Sequence, residues 1–245
     1  MADDDQHPPL DLLEGSALLL DFDGTLVELA ERPDLISVPD RLSQLLRRLK
    51  ERLGGRLAIV TGRSLESLGQ HLDCSAIAVS GSHGAELRFA GAPAMTVATA
   101  PIPDIVREEA RRFAEEHGLL IEQKPAGMAI HYRTLPEEAE RVRGFISALA
   151  ERTGLDVQEG KQVAELRPHG LDKGEALRRI MKEPPFAGAR PIFMGDDLTD
   201  EHAFEAAAIL GGAGILVGPR SASAARWRLA SVDAAMRWLE EAANV

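Results

Sequence analysis

Cysteine and aromatic residues are scarce in this chain of 245 residues, which holds one cysteine, two tryptophans, one tyrosine and seven phenylalanines. The lone thiol, Cys74, cannot close an internal disulfide, which suits a reducing compartment. No histidine or basic residue adjoins Cys74, so a nucleophilic or redox role is not expected. Trp227 and Trp238 read as packing residues rather than a binding platform. No run of about eighteen apolar residues occurs, so no membrane span is expected. Met1 is followed by Ala2-Asp3-Asp4-Asp5 rather than by a basic and then apolar stretch, so no signal peptide is expected and the location reads as cytoplasmic. Basic residues are outnumbered, 28 Lys and Arg against 39 Asp and Glu, for a net charge of −11. That balance speaks against nucleic acid as the default partner. No internal repeat or low-complexity segment stands out.

Hydrophobic residues make up 44% of the chain and charged residues 27%, the balance of a folded soluble protein rather than a disordered or collagen-like one. The length admits one large or two small domains. Residues 1–15 are acidic and contain proline, and most of them are expected to form a loose tail. Ala17 to Leu20 is an unbroken apolar run, expected as a buried strand. Leu42, Leu45, Leu46, Leu49 and Leu53 fall at helical spacing, with Gly54-Gly55 as the stop. Arg56–Val60 reads as a strand, Ser64–Leu72 as a helix and Ala76–Ser80 as a strand. Strand, helix, strand, helix, strand implies a parallel sheet with helices on its faces.

The pattern then changes. Asp104–His117 reads as a helix with Ile105, Ala110, Phe113 and Ala114 inward, ended by Gly118. Leu119–Gln123 and Met128–Arg133 read as strands around the turn Lys124-Pro125-Ala126-Gly127. Pro136 opens a second helix carrying Val142, Phe145, Ile146 and Leu149, ended by Gly154. Leu155–Gln158 and Gln162–Arg167 form a further strand pair. This order suits an antiparallel sheet with two helices on one face, inserted between Pro101-Pro103 and Pro168-Gly170. After it the first pattern returns: helix Lys173–Met181, strand Pro191–Met194, helix Thr199–Ala208, strand Ile215–Val217, and a last helix Asp233–Ala243 capped by Ser231. The expected fold class is therefore α/β. Residues 16–102 and 169–245 form a parallel-sheet core, and residues 103–168 form an inserted α/β domain.

Four segments carry chemistry. Asp21-Phe22-Asp23-Gly24-Thr25 follows the first strand, and ligands of open α/β sheets bind at the carboxyl ends of strands. One carboxylate there can attack phosphorus while the other serves as general acid and base. Gly24 lets the chain turn away at once. Gly195-Asp196-Asp197-Leu198-Thr199-Asp200-Glu201 follows another strand. Its carboxylates can hold a hard cation such as Mg²⁺, which needs only one or two of them. The same residues can also cap a helix, with Thr199 the expected cap. Thr61-Gly62-Arg63 offers a hydroxyl and N–H groups near a helix start, able to hold a phosphoryl oxygen. Lys173 opens a helix and can neutralise phosphate. Together these supply the parts of phosphoryl transfer, which rests on positioning and charge neutralisation. Gly211-Gly212-Ala213-Gly214 follows a helix and lacks the third glycine, so a dinucleotide site is rejected.

The order DFDGT, TGR, a lysine opening a helix, then GDDLTDE resembles the haloacid dehalogenase superfamily of aspartate-nucleophile phosphatases. The insertion resembles that superfamily's α/β cap. Within the superfamily, Gly81-Ser82-His83-Gly84-Ala85-Glu86, Ile121-Glu122-Gln123-Lys124, His131-Tyr132-Arg133 and Gly160-Lys161-Gln162-Val163-Ala164-Glu165-Leu166-Arg167-Pro168 resemble the trehalose-6-phosphate phosphatase family. The resemblance spans residues 17–240. It implies a Rossmannoid core and a phosphatase releasing trehalose through an aspartyl-phosphate. Asp21 is implied as nucleophile and Asp23 as acid and base. Mg²⁺ is implied on the Asp21 and Asp196 carboxylates and the Asp23 carbonyl, supported by Asp197 and Asp200. Thr61 and Lys173 are implied to grip the phosphoryl group. Gly62, Arg63, His83, Glu122, Lys124, Arg133, Lys161 and Glu165 are implied to contact substrate. The expected partner is one small molecule, with no nucleic acid and no membrane; a monomer is favoured. Phosphatases of the same architecture acting on sucrose-phosphate or mannosyl-3-phosphoglycerate, or a catalytically silent sugar-phosphate-binding regulator, are the alternatives.

Overall fold

The structure is a computed structural model that describes residues 6–30, 35–96, 102–124, 127–160, 162–220 and 222–244. Pro101, the Pro125-Ala126 tip of the expected turn, Lys161 and the first five residues of the expected tail lie outside the described residues. The chain divides into two compact units, Met1–Met95 with Asp172–Val245, and Thr96–Leu171.

The first unit begins with β1 (Ser16–Leu20), α1 (Arg41–Arg52), β2 (Leu57–Val60), α2 (Leu65–Gly69), β3 (Ala78–Gly81), β4 (Glu86–Arg88) and β5 (Met95–Thr96). Every residue of β1 is buried, as an apolar run covered on both faces of a sheet must be. On α1 the buried side chains are Leu42, Leu45, Leu46 and Leu49, the stripe that the leucine spacing predicts. α2 is shorter than expected and starts from Ser64, whose hydroxyl oxygen accepts the Ser67 N–H.

The second unit contains α3 (Asp104–Glu116), β6 (Leu120–Gln123), β7 (Met128–His131), α4 (Ala139–Thr153), β8 (Asp156–Gly160) and β9 (Val163–Arg167). Its four strands form an antiparallel sheet in the order β6-β7-β9-β8. Met128 and Ile130 of β7 and Ala164 and Leu166 of β9 are buried with Val106, Ala110 and Ala114 of α3 and Val142, Ile146 and Leu149 of α4. Ile105, expected inward, is instead 76% exposed. The inward stripe runs 106, 110, 114, and a residue one step before it is turned about 100° away.

The chain then returns to the first unit with α5 (Lys173–Ile180), β10 (Arg190–Gly195), α6 (Glu201–Ile209), β11 (Ala213–Val217), β12 (Trp227–Leu229) and α7 (Val232–Ala242). The large sheet has the order β12-β11-β10-β1-β2-β3-β4-β5. The six strands from β12 to β3 run parallel, and β4 turns back antiparallel to β3. β1 lies between β10 and β2, so the strand order reverses beside it, the place where α/β sheets bind ligands. Ser231 caps α7 through the Ala234 N–H, as expected.

Three corrections concern short or local features. β4, β5 and β12 were not foreseen, because each has only two or three residues and no sustained apolar run. The expected loose tail is not loose from Pro8 onward. Leu10–Leu13 form a 3₁₀ turn, Leu13 is buried, and the Trp238 indole N–H donates to the Pro8 carbonyl at 2.8 Å. Thr199 does not cap; Asp197 does, in a reciprocal box with Asp200.

Candidate active site

Asp21 leaves the end of β1 with its N–H still donating to the Met194 carbonyl of β10 at 2.8 Å, so its position is set by the sheet itself. Lys173, the first residue of α5, places Nζ 2.7 Å from Asp21 Oδ1 and 2.6 Å from Asp200 Oδ1. All three side chains are buried. Asp200 is occupied on both oxygens. Oδ1 accepts Lys173, and Oδ2 accepts the N–H groups of Asp196 and Asp197, each at 2.9 Å. It thereby ties the loop after β10 to the start of α5.

Three carboxylates share this pocket with one ammonium, because Asp21, Asp196 and Asp200 bring oxygens within 4.8 Å of one another. Burial, reinforced by Asp200 and Asp196, pushes Asp21 well above the usual carboxylate range despite Lys173. Burial, with Asp200 beside it, raises Asp196 to about 7. Burial opposes the charge on Lys173, but Asp200 and Asp21 outweigh it and hold the ammonium protonated.

The residues fit Mg²⁺. The excess negative charge calls for a second cation, and the donors are hard oxygens. Asp196 Oδ1 is buried with no hydrogen-bond partner. Asp200 Oδ2 already accepts two N–H groups and its Oδ1 accepts Lys173, so Asp21 and Asp196 are the less committed carboxylate donors. Gly24 makes room for this arrangement. Its φ is +83°, and a Cβ there would meet Asp196 Oδ2 at 2.2 Å.

Asp23 pairs with Arg63 through two bonds, Nε to Oδ2 and Nη2 to Oδ1, both 2.7 Å. Thr61 sits at the end of β2 with its N–H on the Ser80 carbonyl, and its hydroxyl oxygen accepts the Arg63 N–H at 3.1 Å. His83 has φ +52° and is buried. Its ring lies against Gly62, where a Cβ would meet Nε2 at 2.5 Å. Glu86, whose role the sequence did not suggest, braces this loop by accepting from Ser82 Oγ at 2.6 Å and Leu65 N at 3.2 Å.

In the second unit the helix-free face of the sheet is polar. Glu122, Ala129, Glu165 and Gln158 lie in one row across the four strands. Lys124 and Glu165 form a buried ion pair. Glu122 accepts from His131 at 3.0 Å, and that bond holds the carboxylate below its usual range against the effect of burial. His131 enters the sequence reading only within the His131-Tyr132-Arg133 motif, with no role assigned; strand alternation in the 120–131 hairpin puts it on the same face. Arg133 is half-buried just past β7, and Lys161 lies outside the described residues.

Residues 19–233 match the trehalose-phosphatase family. The chain is 40% identical over 210 residues to a probable trehalose-phosphate phosphatase of Sinorhizobium fredii, covering 84% of this chain and 79% of that one. It is 36% identical over 230 residues to the trehalose-6-phosphate phosphatase of Escherichia coli, covering 91% and 85%. A solved structure of a trehalose-6-phosphate phosphatase related protein superposes with TM-score 0.76 at 30% identity, over 94% of this chain and 97% of that one. The fold is shared with a solved haloacid dehalogenase-like hydrolase from Bacteroides thetaiotaomicron, at TM-score 0.68 and 19% identity over 94% of this chain and 98% of that one. With its sheet order, its acidic cluster and a match over most of its length, the chain belongs to the trehalose-phosphatase family.

Proposed function

We propose that this protein hydrolyses trehalose-6-phosphate to trehalose and phosphate through an aspartyl-phosphate. The observation that carries the reading is the buried cluster of Asp21, Lys173, Asp196 and Asp200 at the carboxyl ends of β1 and β10. Asp21 Oδ attacks phosphorus, and the bond from phosphorus to the sugar oxygen breaks while Asp23 gives that oxygen a proton. Water then attacks phosphorus, Asp23 takes the water proton, and the bond to Asp21 breaks. Lys173 neutralises the phosphoryl oxygens, and the Thr61 hydroxyl donates to one of them. The Asp21 and Asp196 carboxylates and the Asp23 carbonyl would hold Mg²⁺, with Asp197 and Asp200 in support. The ion, when bound, supplies divalent charge to balance the phosphoryl group.

Phosphoryl chemistry belongs on this reading to the segments 16–102 and 169–245, and sugar recognition to 103–168. Glu122, Lys124 and Glu165 stand on one sheet face, Lys124 and Glu165 as a buried ion pair, where charged donors and acceptors suit sugar hydroxyls; Arg133 and Lys161 extend the set, and Gly62 and His83 shape the phosphate loop. We place the protein in the cytoplasm as a monomer acting on a small molecule. No helix among the described residues is long and apolar enough to cross a membrane.

The test is phosphate release from trehalose-6-phosphate, with and without Mg²⁺, beside glucose-6-phosphate and sucrose-6-phosphate. Selective Mg²⁺-dependent release from trehalose-6-phosphate, abolished in a folded Asp21→Asn variant, is expected. Release from another sugar phosphate alone would overturn the sugar assignment and leave the core chemistry standing. Retained activity in Asp21→Asn would overturn the mechanism.

A further inference from the structure

Both carboxylate oxygens of Asp23 are engaged by one side chain. Arg63 reaches across from the loop after β2 and pairs with them through Nε and Nη2, each bond 2.7 Å long. The exposures are unequal: the Arg63 side chain is 8% accessible and the Asp23 side chain 26%. Arg63 is thus the more buried partner, and part of the Asp23 side chain stays accessible. A guanidinium fork uses one lone pair of each oxygen, so the other lone pairs stay available. The Phe22 ring lies 5.7 Å from Arg63 Cζ and packs against the guanidinium.

The arginine is itself anchored at the backbone. Its N–H donates to Thr61 Oγ1 at 3.1 Å, and its carbonyl accepts the Ser82 N–H at 2.7 Å. Ser82 and His83 both have left-handed φ, +48° and +52°, a conformation that costs non-glycine residues energy and persists only when its surroundings impose it. The Glu86 carboxylate imposes it here through Ser82 Oγ and Leu65 N. The His83 N–H on the Thr61 carbonyl, at 3.1 Å, closes the same loop.

We propose that Arg63 is the positioning residue for Asp23, holding its carboxylate in one orientation through both proton transfers, and that the Ser82-His83 turn braced by Glu86 sets where Arg63 starts. The inference rests on the reading of Asp23 as general acid and base. That role demands constancy. The same oxygen must face the sugar oxygen in the first step and the attacking water in the second, although the leaving group has departed in between. A lysine, a point charge on a flexible stem, could neutralise Asp23 but could not orient it.

The experiment compares Arg63→Ala, Arg63→Lys, Asp23→Ala and the double variant Asp23→Ala/Arg63→Ala as full-length proteins with Mg²⁺ and trehalose-6-phosphate, each checked for folding by circular dichroism. Misplacing a catalytic group by about 1 Å costs about 100-fold. Arg63→Ala is therefore expected to lose about 100-fold in kcat with KM within about 3-fold, and Arg63→Lys to fall between it and the parent. The double variant is expected to be no worse than Asp23→Ala, because Arg63 acts only through Asp23. Added guanidinium at millimolar concentration should restore part of the kcat of Arg63→Ala and none of that of the double variant. A rise confined to KM, or losses that multiply in the double variant, would overturn the inference and make Arg63 a direct substrate contact. If Arg63→Ala does not fold, Arg63→Lys decides: full kcat overturns the inference. Undiminished activity in Asp23→Ala would instead overturn the acid–base reading itself.

Discussion

Lys173 Nζ lies 2.7 Å from Asp21 Oδ1, with 4% and 5% of the two side chains accessible. The ammonium comes from the first residue of α5, a helix that follows the inserted segment, while the carboxylate comes from the end of β1. Their meeting assembles the site from two distant stretches of chain, with Asp200 as the second partner of Lys173 at 2.6 Å.

Removing that ammonium strands buried carboxylates. Lys173→Met is expected to abolish phosphate release and to lower stability by about 3–5 kcal/mol, the usual cost of leaving one partner of a buried pair alone. Urea unfolding monitored by circular dichroism measures it. An unfolding midpoint unchanged from the parent would show that Lys173 contributes nothing to the charge balance.

Asp196 is the complementary case. Its raised pKa, about 7, against an ordinary 3.8 means that ionising it in the folded state is unfavourable. A carboxylate raised on folding costs stability as pH climbs through that window. In EDTA-treated protein, Asp196→Asn should therefore raise Tm at pH 8, with the gain fading toward pH 4. Mg²⁺ at about 100-fold over its Kd should add about 2.7 kcal/mol to the parent, several degrees in Tm, and nothing to the variant. A Tm of Asp196→Asn that still responds to Mg²⁺ would remove Asp196 from the ion's ligands.

Glu165 separates sugar recognition from phosphoryl transfer. Glu165→Ala should cut kcat/KM for trehalose-6-phosphate by about 100-fold, as lost charged contacts to hydroxyls do, and leave p-nitrophenyl phosphate turnover within about 3-fold. Equal losses on both substrates would remove it from specificity.

Cys74 is buried, and burial pushes its thiol up to about 12 even with Arg88 nearby. Native protein at pH 8 should show no fast reaction with 5,5′-dithiobis(2-nitrobenzoic acid), since the thiolate is the reactive form. One equivalent should react once urea unfolds the chain. Prompt reaction in the native state would contradict this burial.

The N-terminal segment should matter to stability. Leu13 is 2% exposed and packs in the core with Trp238. Leu13→Ala should cost about 2–5 kcal/mol, measured by urea unfolding; a change under about 0.5 kcal/mol, the range of surface substitutions, would mean that the segment does not pack as described.

Much of this was written locally. The apolar run 17–20, the leucine stripe of α1 and the 3.6-residue pattern of α4 set their own elements, because burial on one face or two leaves a periodic mark that needs no partner to be read. Asp21, Asp23, Thr61, Lys173 and the aspartates after β10 were legible as chemistry because each follows a strand or opens a helix. β12 and β4 left no such mark, and Pro8–Leu13 looked like a solvated tail because two prolines and scattered acids outweigh three leucines when α7 is out of view.

What no stretch of chain records is pairing. Asp200 reads equally as a helix cap, a metal ligand or a lysine partner; its Oδ2 is committed locally to the Asp196 and Asp197 N–H groups, but its Oδ1 meets Lys173 only when β10 and α5 come together. Arg63 reads as a substrate contact, and its pairing with Asp23 at 2.7 Å is visible only in the fold. Element type and the kinds of reactive group follow from near-neighbour periodicity and residue chemistry, which the linear order carries. Partners, charge balance and the shifts in acidity arise from burial and from distances between residues far apart in sequence, and those exist only once the sheet has placed its strand ends side by side.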